Sequence, residues 1–247
     1  MYKNLIYLIA VACVLASCGQ RKTKEPAADS TGIVFADVPA TSEEPIDTVE
    51  LANKTFLVYT IDSAVFEKFK AQPIDTSEAL ALSRDTSVKR MGSSLQFRLD
   101  NGKTLTLTDN DSENDTTENA FAHYLYVSNF PAIHRKGVIV YYYESQDYLL
   151  VDTRNGDTLH IWAEPIFSPD KKHLLCASMD LVAAFMPNGF QWYDIDKDSI
   201  VYKGEANLEK WGPTETKWVD PKTILCQYIT IDEEGNTQSS YVKMVMQ

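Results

Sequence analysis

Asp194, Asp196 and Asp198 alternate along one stretch, and Glu205 follows seven residues later. These residues take the first, third, fifth and twelfth positions of a twelve-residue loop, with the apolar Val201 at the eighth. That spacing can wrap carboxylate oxygens around a calcium ion. The sixth position is Ser199, where such a loop uses glycine for its sharp turn. The flanks, 190–193 and 200–202, read as strands. The competing reading is therefore a β-turn whose aspartates accept hydrogen bonds from their own backbone. A second acidic run, 109–115, lacks the glycine and has Ala120 at its twelfth position. It reads as a solvated loop.

Other chemistry is sparse. His123, His134, His160 and His173 are scattered without metal-ligand spacing. Neither a nucleophile elbow nor a phosphate-cradling glycine loop is present. Trp162, Trp211 and Trp218 are candidates for stacking against a glycan. Trp211-Gly212-Pro213 sits in an expected loop, so Trp211 is expected to be the most exposed of them. The alternative is that these aromatics fill and flank β-sheets. The residue types point to binding rather than catalysis, with a hydrolase of unrecognised type as a further alternative.

The N-terminus has a different character. Lys3 precedes an unbroken apolar run over 5–14, then small residues, then Cys18. This is the order of parts in a secretory signal peptide. Ten residues span about 15 Å as helix, half of a bilayer core of about 30 Å. Leu15-Ala16-Ser17-Cys18 resembles the lipobox of bacterial lipoproteins. The resemblance implies cleavage before Cys18, lipids on that cysteine and attachment to a membrane. Residues 19–24 contain no acid. Surface-exported lipoproteins of the Bacteroidetes type usually carry an acidic cluster there. The resemblance thus implies the periplasmic face of the outer membrane rather than the cell surface.

The elements behind these residues fall into three parts: a leader over 1–17, a tether rich in Pro, Ala, Ser, Thr and acid over 18–50, and a body over 51–247. Beyond the leader the chain carries 22 basic and 35 acidic residues, a net charge of −13. Nucleic acid, which needs a basic face, is excluded as an expected partner. About 200 residues suffice for one domain with a real core.

The body reads as mostly β. After a strand over 55–61 comes a short helix over 64–71, with Asp62 or Ser63 as cap and Pro73 as stop. From residue 95 onward the chain reads as hairpins. Leu95, Phe97 and Leu99 alternate with polar residues, and Asn101-Gly102 supplies the positive φ angles of a tight turn. Strands pair around turns at 154–157, 168–172, 196–198, 220–222 and 233–236. A four-strand unit recurring every 40 to 50 residues is expected of propeller blades. Phe167-Ser168-Pro169-Asp170-Lys171-Lys172 resembles the turn of TolB-type and WD-repeat β-propellers, with Lys171 where those repeats have glycine. The resemblance implies an antiparallel, propeller-like meander; a twisted antiparallel sandwich is the alternative. Cys176 and Cys226 occupy equivalent places in successive units. They are therefore expected as two buried free thiols, too far apart for a disulfide. The expected function is a non-enzymatic envelope lipoprotein that binds another protein, with a glycan- or peptidoglycan-fragment-binding module as the alternative.

Overall fold

The computed structural model describes residues 37–72, 77–111, 121–197 and 199–247. The leader, Cys18 and most of the tether lie outside the described residues. Antiparallel sheets make up the body, as the alternating pattern predicts. The chain builds them nearly in order. A three-stranded sheet contains β3 (Val88–Met91), β4 (Ser94–Arg98) and β5 (Thr104–Thr108). A five-stranded sheet follows: β6 (Asn110–Asp111), β7 (Phe121–Phe130), β8 (Arg135–Tyr141), β9 (Gln146–Asp152) and β10 (Thr158–Ile161). Four strands form the next: β11 (Ile166–Phe167), β12 (His173–Ser178), β13 (Gly189–Asp196) and β14 (Ser199–Asn207).

The last sheet joins the two ends of the body. Its order is β1 (Asp47–Leu51), β2 (Lys54–Ile61), β17 (Thr237–Met246), β16 (Thr223–Ile231) and β15 (Gly212–Asp220). Among the described residues strand number therefore runs three, five, four and five, and of these sheets β11–β14 meets the expected four-strand unit. The tether expected over 18–50 ends earlier than expected. Val49 lies in β1 and is 2% exposed, and Val38 is also buried. The Thr41 N–H reaches the Thr60 carbonyl at 2.8 Å. Residues 37–50 thus belong to the body, because a β-rich edge segment with two apolar anchors gains more from pairing than from hydration.

Period-two alternation decides the packing. On β12, Leu174 and Cys176 face one core while Leu175 faces another. On β13, Phe190 and Trp192 face the second core and Tyr193 the first. On β9, Tyr148 and Leu150 join the core with Cys176, while Leu149 and Val151 join one with Leu95 and Phe97. Two central sheets are therefore buried on both faces, which is why their strands read as nearly continuous apolar runs. The outer face of the last sheet is covered by Val38 and by Phe66 of helix α1 (Ser63–Phe66). Lys217 lies over the Phe66 ring at 3.5 Å. Cys176 and Cys226 are both buried and free, and they sit in different cores.

The turns follow their sequence chemistry. Gly102 (φ +81°) closes the β4–β5 hairpin, and Leu99 N–H bonds the Lys103 carbonyl at 2.9 Å. Asp62 caps α1 by accepting the Ala64 N–H at 2.7 Å. That helix is shorter than the expected 64–71. A second, α2 (Glu78–Arg84), follows with Ser77 as its cap. Among the described residues no helix is long and apolar enough to cross a membrane.

Candidate functional site

A cleft of about 310 Å³ opens where α2 lies across β7. Asp85 and Arg84 come from the end of α2, and Tyr126, Ser128, Asn129 and Phe130 from β7. Glu164 enters from the connection between β10 and β11, and Gln72 from the segment after α1. Gln72 is fixed at both ends: it donates to the Pro165 carbonyl at 3.1 Å and accepts the Phe167 N–H at 3.4 Å. Its volume is at the small end for a ligand pocket, and its lining residues are mainly polar.

Two charged networks clamp α2 onto the sheets and so shape the cleft. In the first, Arg90 of β3 grips both oxygens of Glu78 at 2.7 and 3.1 Å. It also reaches Asp109 at 3.3 Å and donates to the Tyr124 carbonyl. Glu78 in turn accepts the Tyr126 N–H at 3.0 Å, and Asp109 accepts the Tyr124 N–H at 2.9 Å and faces His123 at 3.0 Å. The second network centres on Asp85, which is 8% exposed. Its carboxylate accepts from the Ser87 hydroxyl at 2.6 Å, the Ser87 N–H at 2.9 Å, the Tyr126 hydroxyl at 2.6 Å and the Lys136 ammonium.

Burial by itself pushes the Asp85 pKa up, but the hydrogen bonds from Lys136, Ser87 and Tyr126 outweigh it and hold it at about 2. Burial, and then the bond to Asp85, push the Tyr126 phenol far above its ordinary value. This corner therefore holds a permanent carboxylate and a permanent phenol. Neither exchanges a proton near neutrality, which is what general acid–base work requires. Glu164 accepts the Ser128 hydroxyl at 2.8 Å. Beneath them Tyr148 is 2% exposed, and its hydroxyl fills the space where a side chain on Gly137 would begin, 2.0 Å from that Cβ position. The Tyr148 phenol is raised as well, by burial first and then by the charge of Glu164.

None of these residues is marked by local spacing. Tyr126 and Lys136 lie 41 and 51 residues from Asp85 along the chain. Lys136 stands beside Arg135 at the start of β8, ahead of the apolar residues 138–140, so its 7% exposure and its need for an acid partner are set by the tertiary contact alone.

The residues singled out by spacing are dispersed instead. In the β13–β14 hairpin Asp194 sits opposite Val201 and Asp196 opposite Ser199, while Glu205 sits opposite Gln191. Strand pairing replaces the wrapping loop and spreads the carboxylates along a ribbon. Asp194 is taken up by His173 at 2.7 Å and the Trp192 N–H at 3.0 Å, and Glu205 by the Tyr202 hydroxyl at 3.0 Å. Asp198 lies outside the described residues. Among the described residues no group of three or more His, Cys, Asp or Glu side chains could hold a metal ion. In the second acidic run Asp109 is committed to the α2 clamp, and 112–115 lie outside the described residues.

The tryptophans do not share an open face. Trp211, expected to be exposed, is 1% exposed; it stacks on Tyr228 at 4.4 Å and donates to Asp47 at 2.9 Å. Trp218 packs edge-on against Trp192 at 5.5 Å. Trp162 is half-buried against a different core. Aromatic area in a thin sheet stack is worth more between sheets than in water. No family model, curated protein or solved structure matches this chain.

Proposed function

We propose that this chain is a cell-envelope lipoprotein, anchored through Cys18 at the periplasmic face of the outer membrane, whose propeller-like β body binds another protein without chemistry of its own. The observation that carries the binding half is the α2–β7 cleft. It is concave and clamped by side-chain bonds, and the Asp85 carboxylate in it accepts from Tyr126 and Lys136, which hold it well below the usual carboxylate range. A cleft of about 310 Å³ takes one or two side chains of a partner. The half-buried Phe130 offers apolar contact, and Asn129 at the exposed rim offers hydrogen bonds. The glycan alternative needs Trp162, Trp211 and Trp218 on one open face; Trp211 is buried, Trp218 packs against the same core, and Trp162 lies against another.

The test is photo-crosslinking in the cells that make the protein, with a benzophenone amino acid at position 129 and a control at position 143. A discrete protein adduct at 129, absent at 143 and lost with Phe130→Ala, is the expected result. Adducts equal at both positions would overturn the cleft as the binding site. The mass of the mature N-terminal peptide, with Cys18→Ala as control, tests the anchor.

A further inference from the structure

Residues 179–188 join β12 to β13 and carry a single charged side chain, Asp180. Val182 is 79% exposed, Phe185 53% and Met179 37%, with Ala183 and Ala184 exposed between them. This is unusual apolar exposure on a chain whose net charge beyond the leader is −13. Four of its backbone N–H groups are also satisfied within the loop. Asp180 Oδ1 accepts the N–H groups of Ala183 and Ala184 at 2.9 and 3.0 Å, and Oδ2 those of Phe185 and Met186 at 2.8 and 3.0 Å. One carboxylate thus satisfies four consecutive donors at the tip and is itself satisfied by them. Ala184 is held at φ +55°, a left-handed conformation that alanine adopts only under constraint.

The base of the loop is braced. Asn188 donates to the carbonyls of Leu208 and Trp211 at 2.7 and 2.9 Å and accepts the Asp180 N–H at 3.2 Å. Met179 and Asn188 fill the space above Gly212, where a Cβ would meet them at 2.2 and 2.5 Å.

We propose that the 179–188 tip inserts into the surface of a lipid bilayer. A preformed tip loses little conformational entropy on burial. Backbone donors that leave water need internal acceptors, and Asp180 supplies them for the N–H groups of residues 183–186. Val182, Ala183, Ala184 and Phe185 offer no hydrogen-bonding side chain and none of the Trp, Tyr or Arg anchors that dominate protein hot spots. The non-directional environment of acyl chains suits them better than a protein recess.

The chain outside the described body supports the same occupant. This argument rests on the anchor reading above. Eighteen residues separate Cys18 from Asp37, a reach of about 60 Å at full extension. A bilayer holding the cysteine's lipids is then present at high effective concentration. Several acyl chains on Cys18 would already anchor the chain, and the tip would add a second contact that orients the body on the surface. The acidic body is repelled by anionic headgroups, so the tip prefers a zwitterionic surface.

The test uses the full lipoprotein purified from its membranes and reconstituted in phosphatidylcholine vesicles. A benzophenone amino acid is placed at 182, or at 143 as an exposed control, and circular dichroism checks each fold. The expected result is an adduct of phosphatidylcholine mass at 182, at least tenfold above that at 143. Phe185→Asp should reduce it severalfold, and vesicles of phosphatidylglycerol at low salt should give less. Equal lipid adducts at 182 and 143 would overturn the proposal, as would a 182 adduct formed only with a co-purifying protein. The N-terminal peptide's mass reads the anchor separately. Unacylated Cys18 with a lipid adduct at 182 defeats the anchor and leaves the tip. Acylated Cys18 without that adduct defeats the tip alone.

Discussion

Lys171 shows how a residue departs from the expected turn and what the departure costs. It stands in the 168–172 turn at φ +58°, where the resembling repeats carry glycine. The turn closes because Asp170 accepts the Ser168 hydroxyl at 2.7 Å and the Lys172 N–H at 3.1 Å, and Lys171 tolerates the left-handed geometry this imposes. Lys171→Gly should stabilise the protein by about 0.5–1 kcal/mol, the left-handed penalty less the entropy of the added glycine. A rise in the urea midpoint at unchanged slope is the expected readout. Asp85 acts in the opposite sense. Asp85→Asn leaves Lys136 buried without its counter-charge, at a cost of about 3 kcal/mol. The double variant Asp85→Leu/Lys136→Met should lose much less. The sign of the pH dependence follows from the lowered pKa. With about 2 in the folded state against an ordinary 3.8, the unfolded chain takes up the proton first. The stability from Asp85 is complete above about pH 4 and is lost as pH falls through 2. Urea titrations at pH 5, 3 and 2 should show this loss, and its absence in Asp85→Asn.

At the scale of elements, α2 is the piece most dependent on side-chain contacts. It has seven residues, too few to persist by propensity alone. Arg90 ties it to β3 and β7 through Glu78 and Asp109. Arg90→Ala should therefore release the helix while leaving the sheets paired. Hydrogen exchange should quicken severalfold across 78–84 and stay unchanged across 223–231. Equal quickening in both would mean the clamp supports the whole fold rather than the cleft. The hairpins at Asn101-Gly102, 154–157, 168–172, 220–222 and 233–236 were legible because each rests on local turn chemistry such as Asn101-Gly102 or Asp220-Pro221-Lys222. In the last, Asp220 accepts the Lys222 N–H at 2.7 Å. No local signal settles the α2 segment, because its helical state depends on partners distant in sequence.

For the whole molecule, the sheet that joins the chain ends is decisive. β17 lies between β2 and β16, so the final strand carries the pairing between the N- and C-terminal parts. Val242 and Met244 also enter the core with Trp192 and Trp211. Deleting 237–247 should leave no folded monomer, seen as loss of the β signal in circular dichroism and elution in the void on size exclusion. A compact, β-rich product would show that the remaining sheets stand alone.

By itself the sequence determined the antiparallel strands, most turn positions, the acidic surface and the burial of two free thiols. These depend on period-two alternation, turn residues and composition, which are local quantities. Only the tertiary structure decided which core each aromatic enters, that the aspartates of 194–196 separate along a ribbon, and that Asp85, Tyr126 and Lys136 meet. Alternation says that a side chain leaves one face of its strand. It does not say which sheet lies on that face, and stacking four sheets settles that through contacts tens of residues apart.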